Sequence, residues 1–255
     1  MMNKVAFCLR GAVSKNEAFL TEKSLYKEGK YVDYIKCRNS IFKYIINKNP
    51  NFEIDFFCHG WNIDLKDDIE NIYKPKKSLF ENNNIYSDEI YKRCNNKNDF
   101  GGISQALTMK KTIELKEEYE KENNFQYDIV ILYRYDILLW KDLILNDYNL
   151  NINNIYVNAH SQGNGDFHFI MSNNNSLIFK DLFDSPLKNN NSYRGHYWIK
   201  NYITKICNKN LIIDKIIPGQ NQEVIRKIKK FSIDKGYLSQ EMYDNGFDDK
   251  SLFLP

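Results

Sequence analysis

Three short apolar runs, each followed by a cluster of polar residues, constrain the fold most strongly. The runs cover residues 4–9 (KVAFCL), 52–58 (FEIDFFC) and 127–132 (YDIVIL), and the polar clusters include Arg10-Gly11, His59 to Asn62, and Arg134 to Asp136. Mostly apolar runs of this length are typical of parallel strands buried on both faces. Because ligands of open α/β sheets gather at the carboxyl ends of the strands, we expect the three polar clusters to meet at one edge.

Helical and strand patterns alternate along the rest of the chain. Helices are predicted over residues 31–47, 64–73, 104–123, 176–183 and 193–208. Further strands are predicted over residues 77–80, 154–158, 166–171 and 211–217, and residues 82–102 are interpreted as a long polar surface loop. This order predicts an α/β fold, a single domain with a mainly parallel sheet flanked by helices.

Composition bounds the class of protein and its partners. Of the 255 residues, 42% are hydrophobic and 27% are charged, which are ordinary values for a globular domain. The 36 basic and 33 acidic residues leave a net charge of only +3, which argues against a nucleic-acid binder. The five cysteines include no CxxC pair and favour free thiols in a reducing compartment. No secretory signal or membrane span is visible, so we expect a cytoplasmic protein.

One basic run, at residues 226–230 (RKIKK), bears on membrane association. Such a run can contact an anionic membrane surface, which would make the protein peripheral to the inner membrane. A solvated helix face explains the same residues.

Arg134 and Asp136 lie two residues apart after the third apolar run. Residues with this spacing on an extended chain point the same way, so the two side chains can share one site. The Asp136 carboxylate can hold a divalent cation that bridges two phosphates, and the guanidinium can neutralise phosphate directly. An Arg–Asp ion pair that only trims the edge of the sheet is an equal alternative.

Asp166 ends a glycine-containing run at residues 160–166 (HSQGNGD). Glycines permit close approach of the backbone to a ligand, so Asp166 would face a pocket just before a strand. A plain turn is the alternative explanation of these glycines.

A serine hydrolase is the competing interpretation of the same run. Residues 159–163 (AHSQG) nearly match the nucleophile elbow G-x-S-x-G, with Ser161 as the nucleophile. His59-Gly60 resembles the oxyanion segment of such hydrolases. Asp181 or Asp184, followed by His196, would complete the triad. The elbow must be followed by a helix, yet residues 165–169 have a strand pattern. The interval from Ser161 to His196 is also too short for the strands and helices that must lie between them.

The segments VAFCLRG, FEIDFFCHGWN and YDIVILYRYDILL resemble a family of small glycosyltransferases encoded in capsule and surface-polysaccharide loci of bacteria. Its members open with a strand ending in Arg-Gly, and a second strand ends in a His-x-Trp segment, here His59-Gly60-Trp61. An R-x-D element, here Arg134 and Asp136, stands where better-known relatives carry a D-x-D metal motif. A later Asp precedes a strand, here Asp166. The resemblance spans residues 4–185.

The resemblance implies a GT-A-like fold that transfers a sugar from a nucleotide-sugar to a saccharide acceptor. Residues 1–185 would form the nucleotide-sugar-binding core, and residues 186–255 would lie on the acceptor side. The residues implied to bind the donor are Arg10, Gly11, His59, Trp61, Asn62 and Asp136. A non-catalytic relative that binds a sugar or a nucleotide is a further alternative.

The resemblance also implies roles in the chemistry. Arg134 would stabilise the departing phosphate, and, if the transfer inverts the configuration of the sugar, Asp166 would be the base that accepts the proton of the acceptor hydroxyl. A Mg²⁺ or Mn²⁺ ion would bind Asp136, with His196 as a late ligand. A histidine on a helix surface is the alternative explanation of His196.

Overall fold

The computed structural model describes residues 2–12, 33–95, 99–160, 163–185, 195–215, 221–224 and 233–247. The strands are β1 (Asn3–Gly11), β2 (Phe52–Gly60), β3 (Lys77–Phe80), β4 (Ile129–Arg134), β5 (Ile137–Leu139), β6 (Asn154–His160), β7 (Gly163–Ser172), β8 (Asn210–Asp214) and β9 (Gln222–Val224). The α-helices are α1 (Tyr34–Tyr44), α2 (Lys66–Tyr73), α3 (Ser87–Arg93), α4 (Phe100–Asn123), α5 (Asn173–Asp181), α6 (Gly195–Asn201) and α7 (Gln240–Asn245).

The main sheet has the strand order β3-β2-β1-β4-β7-β6-β8. β1 pairs in parallel with β2 and with β4, β2 pairs in parallel with β3, and β6 with β8. β7 is antiparallel to both of its neighbours, so it runs against the other strands of this sheet. The prediction of a mainly parallel sheet in a single α/β domain is therefore confirmed.

Helices cover both faces of the main sheet because its inner strands carry apolar side chains on both sides. Phe7 lies in one apolar core with Ile41 of α1, and the next residue, Cys8, lies in a second core with Ile113 of α4. These side chains are fully buried. Burying an Ile or Phe side chain contributes about 1.5–3 kcal/mol. Packing on both faces explains why the strand sequences are continuous apolar runs instead of alternating patterns.

The loop prediction for residues 82–102 was wrong, because this stretch contains helix α3 and the first turn of α4. α3 buries Ile90 completely, and α4 begins at Phe100, which is 2% exposed. Acidic residues occupy the first turn of α3 and basic residues its last turn, an arrangement that stabilises a helix through its dipole. α3 has one buried residue, Ile90, and asparagine-rich segments on both sides. Its sequence therefore shows little of the apolar periodicity from which a helix is predicted.

Residues near the C-terminus pack on the same domain. β8 pairs with β6 in the main sheet, and β9 pairs with β5, the strand that follows Asp136. Phe247 is fully buried, and its carbonyl oxygen accepts a 2.6 Å hydrogen bond from Nδ2 of Asn39 on α1. The C-terminal residues that the structure describes thus contribute to the core of the same domain.

Among the described helices, none is both long enough and apolar enough to span a membrane. The basic run at residues 226–230 lies outside the described residues.

Candidate functional site

β1 and β4 are neighbours in the sheet, although β2 and β3 separate them in the chain and lie on the other side of β1. The chain therefore reverses the direction in which it adds strands between β1 and β4, which makes this pair the topological switch point of the sheet. Ligands of open α/β sheets bind in the crevice outside the carboxyl ends of the strands at such a point. Arg10 and Arg134, near the ends of these two strands, are register partners.

Arg134 binds Asp136 through two parallel hydrogen bonds. Its Nε donates to Oδ1 at 2.9 Å, and its Nη2 donates to Oδ2 at 2.8 Å. β4 ends at Arg134 and β5 begins at Ile137, so the turn between them brings the carboxylate back to the guanidinium. Charge-assisted pairs of this bidentate kind are strong and directional. The Asp136 side chain is 4% exposed and that of Arg134 is 18% exposed, so the guanidinium is the more accessible partner.

The remaining terminal nitrogen of Arg134 connects this pair to Asp166. Nη1 of Arg134 lies 3.3 Å from Oδ1 and 3.2 Å from Oδ2 of Asp166. Gln105 of α4 donates from Nε2 to the same Oδ2 at 2.6 Å. Two donors on different elements therefore orient the Asp166 carboxylate, and 12% of its side chain stays exposed.

Arg10 supports Asp166 from the main-chain side. Its Nη2 donates to the carbonyl oxygen of Asp166 at 2.7 Å, and Arg10 is only 1% exposed. Burial lowers the pKa of Arg10 to about 9, and the charge of Asp166 opposes this effect. Among the described residues, none accepts a hydrogen bond from the buried Nε of Arg10, which leaves one donor for a water or ligand oxygen.

Gly165 allows a close contact that sets the position of Asp166. A Cβ atom at Gly165 would lie 2.0 Å from Nδ2 of Asn158, on the neighbouring strand β6. Asn158 is fully buried, and its Oδ1 accepts a 2.8 Å hydrogen bond from the backbone N–H of Phe167. The missing side chain at Gly165 therefore accommodates Asn158, a reason that neither of the sequence-based explanations included.

His59, Trp61 and Asn62 are buried, with exposures of 0%, 1% and 0%. Nδ1 of His59 lies 2.6 Å from Oγ1 of Thr108, and its Nε2 lies 3.1 Å from Oε1 of Glu81. The Trp61 ring packs edge-on against the imidazole, with ring centroids 4.6 Å apart. These side chains contact protein atoms and present almost no surface to solvent. Their donor-binding role remains a prediction.

The donor set around Asp136 does not fit a divalent cation. Both of its carboxylate oxygens accept hydrogen bonds from Arg134, so a cation there would compete with a group of its own charge sign. Within the described ranges, no group of three His, Cys, Asp or Glu side chains could hold a metal ion. His196 lies on α6, but its side chain is outside the described residues, and its metal role stays a prediction.

The serine of the hydrolase interpretation, Ser161, also lies outside the described residues. β7 begins at Gly163, where a nucleophile elbow requires a helix. Asp184, one of the suggested triad acids, pairs with Arg93 at 3.3 Å and with Lys110 at 2.5 Å. The chain that follows Ser161 thus lacks the helix on which the hydrolase interpretation depends.

Gln105 and Thr108 contact the predicted site residues but were not identified from the sequence. Both lie near the start of α4, where the polar residues Ser104, Gln105, Thr108 and Thr112 recur among apolar ones. Polar side chains on the buried face of a helix require hydrogen-bond partners. The polar residues among the apolar ones therefore indicated that α4 makes hydrogen bonds to another element. The pattern does not identify those partners, because they lie on strands distant in the sequence.

No family model matches this chain, and the comparison with curated proteins gives no match. Among solved structures, the chain is similar to 4-diphosphocytidyl-2C-methyl-D-erythritolsynthase from Anaerococcus prevotii DSM 20548, with a TM-score of 0.42 and 7% sequence identity. The likeness covers 84% of this chain and 88% of that chain. The fold assignment therefore rests on the strand order of the chain itself, which is that of a mostly parallel α/β domain.

Proposed function

We propose that this chain is a glycosyltransferase that binds a nucleotide-sugar outside the carboxyl ends of β1 and β4 and transfers the sugar to a saccharide acceptor. The observation that carries the proposal is the register pair Arg10–Arg134 at the topological switch point, joined to Asp136 and Asp166. The resemblance to enzymes of surface-polysaccharide loci supports an acceptor from that class.

Arg134 is the proposed contact to the donor diphosphate. Its planar guanidinium matches phosphate oxygens, and it is the more accessible of the two arginines. Asp136 fixes the plane of this guanidinium, and Arg10 adds positive charge from its buried position. Stabilising the charge of the departing group is usually the largest contribution to such a reaction. We therefore assign stabilisation of the departing diphosphate to the two arginines.

Asp166 is the proposed base of an inverting transfer. The acceptor hydroxyl gives its proton to the Asp166 carboxylate while the hydroxyl oxygen bonds to the anomeric carbon of the donor. The bond from that carbon to the diphosphate oxygen breaks, and its electron pair leaves with the diphosphate. Arg134 and Gln105 orient the carboxylate, and its exposed fraction leaves room for the hydroxyl.

A thermal-shift screen of the purified chain tests the donor site. The probes are ADP, CDP, GDP, UDP and dTDP, each with Mn²⁺ and with EDTA. A ligand that binds only the folded chain raises its apparent melting temperature by mass action. We expect a rise with one diphosphate that persists in EDTA, disappears in Arg134→Ala and survives in Arg93→Ala. Arg93 is a matched control because it also pairs with an aspartate, Asp184. No rise with any of the five would contradict the proposal.

A non-catalytic relative would bind the diphosphate as well, so turnover must be measured separately. The assay follows release of free sugar from the nucleotide-sugar whose nucleotide gives the thermal shift, with water as a slow acceptor. The proposed enzyme releases sugar, and Asp166→Asn retains diphosphate binding but loses this release. Binding without release in the wild-type chain would favour the non-catalytic relative.

The acceptor side of the proposed enzyme is assigned to residues 186–255, which include the basic run at residues 226–230. This run would hold the enzyme near an anionic membrane surface that carries lipid-linked acceptors. Co-sedimentation with vesicles of anionic lipid should show binding at low salt that added salt weakens. An absence of binding at low salt would end this part of the proposal.

A further inference from the structure

Both backbone polar groups of Gly11 are hydrogen-bonded by residues outside β1. The N–H of Gly11 donates to Oγ1 of Thr108 at 3.2 Å, and the carbonyl oxygen of Gly11 accepts from the N–H of Trp61 at 3.4 Å. Gly11 has a φ of +103°, a conformation that only glycine adopts readily. Since glycine can also adopt other conformations at low cost, these contacts, and not steric exclusion, hold Gly11 in this conformation.

The hydroxyl of Thr108 connects Gly11 to His59. Oγ1 of Thr108 accepts from Gly11, and it lies 2.6 Å from Nδ1 of His59. Because the carboxylate of Glu81 can only accept a hydrogen bond, Nε2 carries the proton of the neutral His59 ring, and the Thr108 hydroxyl donates its proton to Nδ1. Nδ1 is then the acceptor of a neutral imidazole, whose Nε2–H donates to Oε1 of Glu81 at 3.1 Å. The hydrogen bonds therefore form one chain of donors. Gly11 donates to Thr108, Thr108 donates to His59, and His59 donates to Glu81.

The far end of this network reaches the partly exposed surface. Glu81 accepts a second hydrogen bond from the Tyr86 hydroxyl at 2.7 Å, and Lys111 donates to that hydroxyl at 2.9 Å. Burial lowers the pKa of His59, which agrees with a neutral imidazole. The network thus has a charged, solvated end at Lys111 and Glu81 and a neutral, buried end at Thr108 and His59.

We propose that Thr108 and His59 are positioning residues of the donor site. The Thr108 hydroxyl, oriented by His59, sets the conformation of Gly11 and thereby the position of the adjacent Arg10. His59 and Thr108 are 0% and 1% exposed, so this role acts through Gly11 and requires no contact with the ligand. This inference rests on the proposed function, because it concerns the same edge of the sheet.

Thr108→Val tests the inference, because it removes the hydroxyl and keeps the shape of the side chain. Thr108→Ser restores the hydroxyl, and Thr112→Val is the matched control. Thr112 is a fully buried threonine of the same helix, and its hydroxyl donates to the carbonyl oxygen of Thr108 at 2.6 Å without contacting Gly11. If Thr108→Val does not fold, Thr108→Cys takes its place, since a thiol is only a weak hydrogen-bond partner.

Two measurements separate positioning from a general loss of stability. Hydrogen exchange of the Gly11 amide in the unliganded chain should accelerate in Thr108→Val and stay at the wild-type rate in Thr108→Ser and Thr112→Val. The Kd for the diphosphate that shifts the wild-type melting temperature should rise roughly 3- to 10-fold in Thr108→Val, the equivalent of one hydrogen bond. It should stay within about 2-fold of the wild-type value in Thr108→Ser, a difference below the contribution of one hydrogen bond.

The outcomes distinguish failure of this inference from failure of the proposed function. If the wild-type chain binds a diphosphate and Thr108→Val matches Thr112→Val in both measurements, the positioning role is overturned and the proposed function stands. Faster exchange at Gly11 with unchanged Kd also overturns it. If the wild-type chain binds none of the five diphosphates, the proposed function fails and the donor-site role of Thr108 and His59 fails with it.

Discussion

The guanidinium of Arg134 holds the carboxylate of Asp136 with two parallel hydrogen bonds, of 2.9 Å and 2.8 Å, across a turn with one residue between them. This fork fixes the plane of the guanidinium and leaves Nη1 beside Asp166. The R-x-D pattern therefore forms the ion pair that the sequence allowed, and this pair lies at the switch point of the sheet, while its contact to phosphate stays a prediction. The ion pair orients the arginine that we propose for the diphosphate.

Arg134→Lys keeps the charge but removes the fork. We expect a folded chain that is less stable by about 1–3 kcal/mol, because a lysine cannot satisfy both oxygens of the buried Asp136. Urea unfolding measures this loss. Arg93→Lys, at the more exposed pair with Asp184, should change the free energy of unfolding by less than about 1 kcal/mol. Equal losses in the two variants would show that the Arg134 fork contributes no more than a surface pair.

Asp166→Asn removes the proposed base with little change in size. The amide cannot accept the acceptor's proton, so the turnover number should fall by roughly 10²- to 10⁴-fold, the usual contribution of a general base. Diphosphate affinity should change much less, because Arg134 remains bonded to Asp136. Steady-state kinetics together with calorimetric binding check both statements. A variant with undiminished turnover would remove Asp166 from the mechanism.

Gly165→Ala places a Cβ atom 2.0 Å from the buried amide of Asn158, so β6 and β7 must separate or the Asn158–Phe167 hydrogen bond must break. Overpacking of this kind costs about 1–3 kcal/mol, and the shift should also impair Asp166. Gly101→Ala is the matched control, because nothing lies within 4 Å of its added Cβ and alanine favours the helix. Thermal unfolding should show a loss for the first variant and no loss for the second.

His59 gives the stability of the chain a defined pH dependence. Burial lowers its folded-state pKa below the usual 6.5, although the hydrogen bond to Glu81 opposes this. As the pH falls through 6.5, the unfolded chain binds a proton at His59 that the folded chain does not, so the free energy of unfolding decreases. His59→Gln should reduce this decrease between about pH 6.5 and 5, the interval in which an unfolded histidine becomes protonated.

The pKa of Glu81, a hydrogen-bond partner of His59, sets the lower limit of that pH window. Burial raises the pKa of Glu81, but hydrogen bonds from His59 and Tyr86 and the charge of Lys111 bring it below its usual 4.5. The pKa of Lys111 is raised, although burial opposes this, so it stays charged throughout. Urea unfolding at several pH values gives the comparison. Equal pH slopes in the wild-type chain and in His59→Gln would contradict the assignment.

The positions of Arg10 and Arg134 were accessible from the sequence because continuous apolar runs identify buried parallel strands, and polar residues that follow such runs fall at one edge. Which strands are neighbours was not accessible, because the pairing of β1 with β4 brings together residues more than a hundred positions apart. The same holds for Gln105 and Thr108. A helical pattern shows that they are polar, but only the packing of α4 on the sheet gives them Asp166 and Gly11 as partners.

His59 and Gly165 show a second limit of the sequence patterns. The position of His59 at the end of an apolar run predicted a ligand contact, which stays a prediction, and the structure places its side chain in the interior, against Thr108 and Glu81. Gly165 indicated a turn or a ligand, but it accommodates the side chain of Asn158. In both cases the observed contacts are with other parts of the protein, and the linear sequence does not show which atoms those are.

The most direct test of the donor site is a calorimetric titration, in EDTA, of the wild-type chain and Arg134→Ala with the nucleoside diphosphate found in the thermal-shift screen. We predict saturable binding to the wild-type chain and a loss of affinity of at least about tenfold in Arg134→Ala, as expected when a charged hydrogen-bonding group is removed. Arg93→Ala should bind like the wild-type chain. Equal affinity in wild type and Arg134→Ala, or binding only when Mn²⁺ replaces EDTA, would contradict the assignment of the diphosphate site to Arg134.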